Sequence, residues 1–290
     1  MANSRILGLA GAVTALGLVV NLVGCTSDDG DPGATGGKSG TGGSTSTGSS
    51  TSTGGASTGT GGGSATGTAC ALPISIDPAK PGIADFDSYD GVADLAKWSF
   101  PLGGDMASGV VAGTFGYGDN GDNKPETFEL STGNGSKYAM RIADTNATEY
   151  GGGEGIWLSA CLNASKLSGI SFWVRGNAPE GKATFTLTMN ETIPATPAKA
   201  DDKIGTCTGD AKTCIHPTYV FPVTDTWAEV KIPWSAFTAG NANGTLVKPD
   251  GKNIVQVQYG VGLVWMPDAS GTYVPTPAPY ELAVDSVTFY

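Results

Sequence analysis

Between residues 167 and 190 the sequence alternates with a period of two, and this constrains the fold more than any other feature. Ile170, Phe172 and Val174 interleave with Ser171, Trp173 and Arg175. After the segment NAPEG, Phe185, Leu187 and Met189 interleave with Thr184, Thr186, Thr188 and Asn190. Successive side chains on a strand point to opposite faces, so each arm has one apolar face. Asn, Pro and Gly between the arms are what a chain reversal needs. The stretch predicts a β-hairpin at the centre of a sheet, with one face filling a core. The other face carries Trp173 and Arg175 beside a row of hydroxyls, fit to meet a ligand or be covered by further chain.

The same short periodicity recurs through residues 70–290. PGIADFDSY, GVVAGTFGYG, ETFELSTG, KYAMRIADT and GGEGIWLSACL precede the hairpin; PTYVFPVT, WAEVKIPWSAF, NIVQVQYGVGLVW and YELAVDSVTFY follow it. Gly and Pro punctuate the junctions, and no stretch keeps a 3.6-residue period over three turns. Many short strands with such spacing predict an all-β fold, a two-sheet β-sandwich of jelly-roll type. No internal repeat of the propeller kind is present.

The first 69 residues obey different rules. Arg5 precedes the small-residue apolar run ILGLAGAVTALGLVVNLVG, which stops at Cys25. A positive charge followed by an apolar run reads as a secretory signal, although the run is long enough to rival a membrane span. Leu22-Val23-Gly24-Cys25 resembles the lipobox of bacterial lipoproteins. That resemblance implies a signal peptide over 1–24, removed to leave Cys25 as a lipidated N-terminus. Residues 25–69 are then almost wholly Gly, Ser and Thr. Such a segment has no apolar area to offset the entropy of ordering, so it is expected to be a disordered tether, reaching roughly 35–40 Å. The expected location is the bacterial cell envelope, at the outer membrane or cell surface, with the membrane touched only through the lipid anchor.

Charge narrows the partners. Of 27 acidic and 16 basic residues, three and two lie before residue 70, leaving a net −10 beyond it. Nucleic acid demands basic patches, so it is an unsuitable partner, as is an anionic lipid surface. Neutral sugars or metal ions fit better. Besides Cys25 there are four cysteines, and an even number in an exported domain predicts disulfides. Cys207 and Cys214 bracket the turn-rich TGDAKT and are expected to pair locally. That leaves Cys70 with Cys161, a clip onto the strand GIWLSAC. The alternative is a zinc site using Cys207, Cys214 and His216.

Several segments together carry a family resemblance. IADFDSYDG, GEGIWLSACLNASKLSGISFWVRG, WAEVKIPWSAFTAG and YELAVDSVTFY follow the order of β-jelly-roll carbohydrate-binding modules of the galactose-binding-like, family 11 type. Within them, Trp227, Pro233, Trp234 and Asp285 match the group's Trp strand, its Pro-aromatic end and its last strand. The chain is also similar to exported myxobacterial proteins that join a Gly/Ser/Thr tether to such a sandwich through a C-x(6)-C-x-H loop, matched by Cys207, Cys214 and His216. The resemblance implies carbohydrate binding. It also implies a structural Ca²⁺ near the chain ends, for which Asp85, Asp87 and Asp285 are the candidates, since hard cations want oxygen ligands.

Individual residues sharpen these expectations. Sugars offer C–H faces to aromatic rings and hydroxyls to amides, carboxylates and guanidinium groups. Trp173 and Arg175 share a strand face, and Gln256 and Gln258 project together. The four are expected to converge on one surface, with Trp157 and Tyr150 at its rim, while Trp98, Trp227 and Trp234 pack. The acidic loop GYGDNGDNKPE lacks EF-hand spacing and reads as a turn. His216 is the only histidine, and residues 70–290 contain no G-x-S-x-G elbow, so a Ser–His–Asp triad is not expected. Glycoside hydrolysis needs two carboxylates about 5–10 Å apart. Glu126 and Glu129 fall on opposite faces of a strand, Glu149 and Glu154 flank a loop, and Glu191 ends an arm. The expected function is therefore a surface-anchored lipoprotein with a non-catalytic polysaccharide-binding domain. A polysaccharide hydrolase and an adhesion or envelope-structural module without a small ligand are the alternatives.

Overall fold

The computed structural model describes residues 70, 72–104, 109–119, 123–195, 205–209 and 212–290. The expected signal peptide over 1–24, Cys25, the expected tether to residue 69 and the centre of the GYGDNGDNKPE loop lie outside the described residues. In chain order the strands are β1 (Ile74–Ser75), β2 (Gly82–Ala84), β3 (Ser99–Pro101), β4 (Val111–Gly118), β5 (Thr127–Ser131), β6 (Ala139–Ala147), β7 (Gly151–Asn163), β8 (Gly169–Asn177) and β9 (Lys182–Met189). They continue as β10 (Cys214–Ile215), β11 (Thr218–Pro222), β12 (Ala228–Pro233), β13 (Gly240–Ala242), β14 (Thr245–Val247), β15 (Ile254–Gly262), β16 (Trp265–Pro267), β17 (Tyr273–Pro275) and β18 (Ala278–Phe289).

Two sheets make a β-sandwich. The front sheet runs β11-β9-β15-β7-β4-β3, with β1 added in parallel to β7. The back sheet runs β12-β8-β18-β6-β5, with β2 on β18. A small sheet, β10-β13-β14, and a separate ribbon, β16-β17, stand beside them. Period-two alternation explains the layers: Ile170, Phe172 and Val174 on β8 and Phe185, Leu187 and Met189 on β9 are all buried.

One expectation fails here. β8 and β9 do not pair as a hairpin: β8 lies between β12 and β18 in the back sheet, and β9 between β11 and β15 in the front sheet. The connection through Pro179–Gly181, with Glu180 and Gly181 at φ 59° and 65°, carries the chain from one sheet to the other. The physical reason lies in the apolar faces. In a hairpin both would point to the same side; here they meet across the core, where Phe172 stacks on Phe185 with ring centroids 5.4 Å apart. Tyr259 and Phe221 close edge-on around Phe172 at 4.8 and 5.2 Å. Burying one such ring stabilises by roughly 1.5–3 kcal/mol.

Both expected disulfides form, Cys70–Cys161 and Cys207–Cys214. The first fastens residue 70 to β7 shortly before β1 pairs with it (Ile74 with Leu162). Each is of a kind that stabilises by about 2–4 kcal/mol. With its cysteines joined, the 207–216 loop has no thiolates for zinc.

Candidate functional site

The front sheet has an inner face of Ala112, Ile156, Leu158, Val257, Tyr259, Val261, Phe185 and Leu187, all buried. The alternate positions face outward and cross the sheet in three registered rows. Gly113, Trp157, Gln256 and Thr188 form the first; Phe115, Gly155, Gln258 and Thr186 the second; Tyr117, Gly153, Gly260 and Thr184 the third.

Each row sets an aromatic residue beside a glycine on the neighbouring strand, and the ring lies across that glycine. A Cβ at Gly113 would overlap the indole of Trp157, one at Gly155 the ring of Phe115, and one at Gly153 the ring of Tyr117. Glycine inside a strand weakens it and marks a close approach. Here the approaching group is an aromatic ring over the backbone. Trp157 remains 37 % exposed in this position.

Polar groups run alongside. Gln256 Nε2 donates to Gln258 Oε1 at 3.3 Å, and Gln258 Nε2 donates to Tyr117 Oη at 2.7 Å. Burial pushes the Tyr117 phenol up to about 12, against the opposing hydrogen bond from Gln258, so it stays a neutral hydroxyl. The half-buried hydroxyls of Thr184 and Thr186 follow on β9, whereas Thr188 and Gln258 are themselves buried. Tyr150 sits at the end of the third row, its hydroxyl donating to the Gly118 carbonyl; burial and the nearby Asp119 and Glu149 raise its pKa.

The expected convergence is thus met in part. Trp157, Gln256 and Gln258 share the outer front face, and Tyr150 stands at its end. Trp173 and Arg175 do not join them: they face outward from the back sheet, because β8 is a back-sheet strand. There Trp173 is registered between Glu229 and Asp285, and the Arg175 guanidinium lies 5.2 Å from the centroid of Trp227. Trp227 therefore packs under Arg175 on the surface. Trp98 is buried, and Trp234 packs against Phe237 and Phe289. Phe115 and Tyr117 escaped the sequence reading. Their signal was the spacing FGYG opposite GGGEG, aromatics and glycines in complementary alternation.

Acidic residues are dispersed. Glu129 and Glu281 flank Arg141 on the back sheet at 2.5 and 3.1 Å. Glu126 accepts hydrogen bonds from Thr145, and Glu191 accepts one from Asn253 at 2.7 Å. Glu154 points into the core. The carboxylates considered for calcium are committed to the chain itself. Asp87 accepts the backbone N–H groups of Lys137 and Tyr138 at 2.7 and 3.0 Å, and Asp285 accepts the Asn134 N–H and the Ser136 hydroxyl at 2.7 and 2.5 Å. Asp85 turns to the Asp87 amide at 3.1 Å. These bonds clamp the turn between β5 and β6, and the three side chains do not fit a shared Ca²⁺. Among the described residues no group of three His, Cys, Asp or Glu side chains is placed to hold a metal.

His216 is a neutral structural residue. Its Nδ1 lies 2.7 Å from the Thr192 hydroxyl, and burial lowers its pKa from 6.5 to about 4. A depressed histidine stabilises the fold fully above pH 6.5, and that contribution is lost as the pH falls towards 4. Discounted for the part of the ring that stays wet, the loss is about 2 kcal/mol. The stability difference between wild type and His216→Gln, read from urea midpoints at about pH 7 and pH 4, should shift by that amount in favour of the variant in acid. A constant difference would mean the ring is charged in the fold.

No family model matches this sequence, and no curated protein matches it. Among solved structures, the chain is similar to a family 11 carbohydrate-binding module from Clostridium thermocellum in complex with a β-1,3-1,4-mixed-linked tetrasaccharide. The two are 16 % identical with a TM-score of 0.36, over 72 % of this chain and 94 % of that one. It is also similar to a family 30 carbohydrate-binding module of a cellulosomal cellulase from Clostridium thermocellum, 13 % identical with a TM-score of 0.31, over 60 % of this chain and 90 % of that one. Likeness at such identities concerns the fold alone.

Proposed function

We propose that this protein is a surface-anchored lipoprotein whose β-sandwich binds a polysaccharide on the outer face of the front sheet without cleaving it. One observation carries the reading: the rings of Trp157, Phe115 and Tyr117 lie over glycines on a face whose three central rows contain no charged side chain. Flat rings suit the C–H faces of pyranoses, and amides and hydroxyls suit their hydroxyl groups. In a chain with net charge −11, an uncharged patch of amides, threonines and rings favours a neutral glycan over a uronate or a sulfated polymer. Cys25 and the tether over 25–69 would hold the domain at the cell envelope, away from the membrane surface.

The test is binding of the protein to a panel of polysaccharides by affinity electrophoresis, with and without EDTA, while reducing ends are assayed. Binding weakened at least tenfold in Trp157→Ala, insensitive to salt, with no products released, is expected; tenfold corresponds to about 1.4 kcal/mol. Binding lost in Trp173→Ala but kept in Trp157→Ala would move the site to the back sheet. New reducing ends would make the protein a hydrolase, and loss on EDTA treatment would restore a role for calcium. Failure to bind any glycan would leave an adhesion or structural module.

A further inference from the structure

We infer that the ribbon β16-β17 is a second aromatic contact for the same polysaccharide, extending the front face beyond its third row; this rests on the reading above. β15 ends at Gly262, which is registered with Gly151, next to Tyr150. Trp265 follows three residues later, within about 11 Å even for a fully extended chain. The ribbon therefore starts where the series Trp157, Phe115, Tyr117, Tyr150 runs out.

Its composition is that of a contact surface. Trp265 pairs with Pro275 and Pro267 with Tyr273, so these four share one face, while Met266 and Val274 share the other. Tyr273 is 66 % exposed and Met266 55 %. An isolated two-stranded ribbon is only marginally stable in water, yet this one is pinned at both ends. Asp268 accepts the Ser270 and Thr272 N–H groups at 2.8 and 2.9 Å and the Ser270 hydroxyl at 2.7 Å, and the Thr276 N–H reaches the Val264 carbonyl at 2.7 Å. The ribbon is thus closed at its turn and at its base.

The kind of occupant follows from what the ribbon cannot do. Pro267 and Pro275 within the strands, and Pro277 and Pro279 just after them, offer no backbone N–H, so an added β-strand finds few donors along this edge. Asp268 is the one charged residue between Trp265 and Pro275, which gives an anionic polymer nothing to bind. Ring faces remain, and their fitting occupant is an uncharged sugar chain already bound to the neighbouring face.

The experiment uses the full chain and a polysaccharide that it binds, together with oligosaccharides of increasing length from that polymer. Affinities are measured by calorimetry for wild type, Trp157→Ala, and the double variant Trp265→Ala, Tyr273→Ala. The double variant should lose about tenfold in affinity for the polymer and nothing for the shortest oligosaccharide that binds, whereas Trp157→Ala loses both. Unchanged polymer affinity in the double variant overturns the inference and leaves the front-face reading intact. Equal loss for short and long ligands also overturns it, placing the ribbon in the primary site. Retention of binding in Trp157→Ala removes the front-face reading itself, and the extension with it. A dimer in sedimentation that the double variant abolishes would assign the ribbon to contact between copies and overturn the inference as well.

Discussion

The Glu154→Gln substitution is expected to remove a loss of stability that the wild-type protein suffers as the pH rises from 4.5 towards the raised pKa of this carboxyl, so that the stability difference between the two moves in the variant's favour. Glu154 lies on β7 with Gly116 and Tyr259 registered on either side, and its side chain is wholly buried. Neither carboxyl oxygen has a hydrogen-bond partner, and the Tyr259 and Tyr280 hydroxyls and one Asp144 oxygen are buried without partners too. Burial drives the Glu154 pKa well above its ordinary 4.5, opposed only in part by the charge of Arg141. The folded state thus holds a proton that the unfolded chain gives up, so the contribution of this carboxyl is greatest below pH 4.5 and falls as the pH rises to the folded pKa. The slope is about −1.4 kcal/mol per pH unit. His216 contributes an opposite slope between about pH 4 and 6.5 in both proteins, so it cancels from the difference between wild type and variant. Urea unfolding at several pH values reads the result directly. A difference between wild type and variant that does not change as the pH rises from 4.5 would mean that Glu154 is ionised and compensated inside the fold.

The second large effect concerns a glycine. Gly113→Val should weaken glycan binding as much as Trp157→Ala does, at least tenfold, while the protein still folds. The nearest atoms that a Cβ at Gly113 would meet all belong to the Trp157 indole, so the ring must lift while the strands stay paired. Gly155 makes a poorer test, because a Cβ there would also press on the Val257 carbonyl oxygen at 2.5 Å and strain the sheet. Binding is measured on the same polysaccharide panel, and near-UV circular dichroism reports the indole environment. A Gly113→Val protein with an altered Trp signal and undiminished affinity would remove the flat ring from the binding account.

What could be read in the sequence was whatever depends on local period and chemistry. Nine segments and the two arms of 167–190 read as strands, each of them contains one, and both cysteine pairs follow from spacing and parity. The short strands β1, β3, β10, β13 and β14 and the ribbon β16-β17 escape it, since two- and three-residue strands leave no period to detect. The site was half legible. Gln256 and Gln258 announce a shared face by alternation alone, and Trp157, expected at its rim, is registered with Gln256. Phe115 and Tyr117 look like core residues until the glycines opposite them are known.

The sequence by itself determined the alternating faces, the all-β class and the chemistry available to the outer surface, because period-two burial and side-chain type are local properties. Only the tertiary structure decided which sheet each strand entered. Residues 167–190 are equally satisfied by a hairpin or by an arch between two sheets, since either buries the same apolar side chains. The arch wins when Phe172 and Phe185 face each other across the core. That one choice separates Trp173 from Gln256 and Gln258, and gives Trp157 its neighbours in their place.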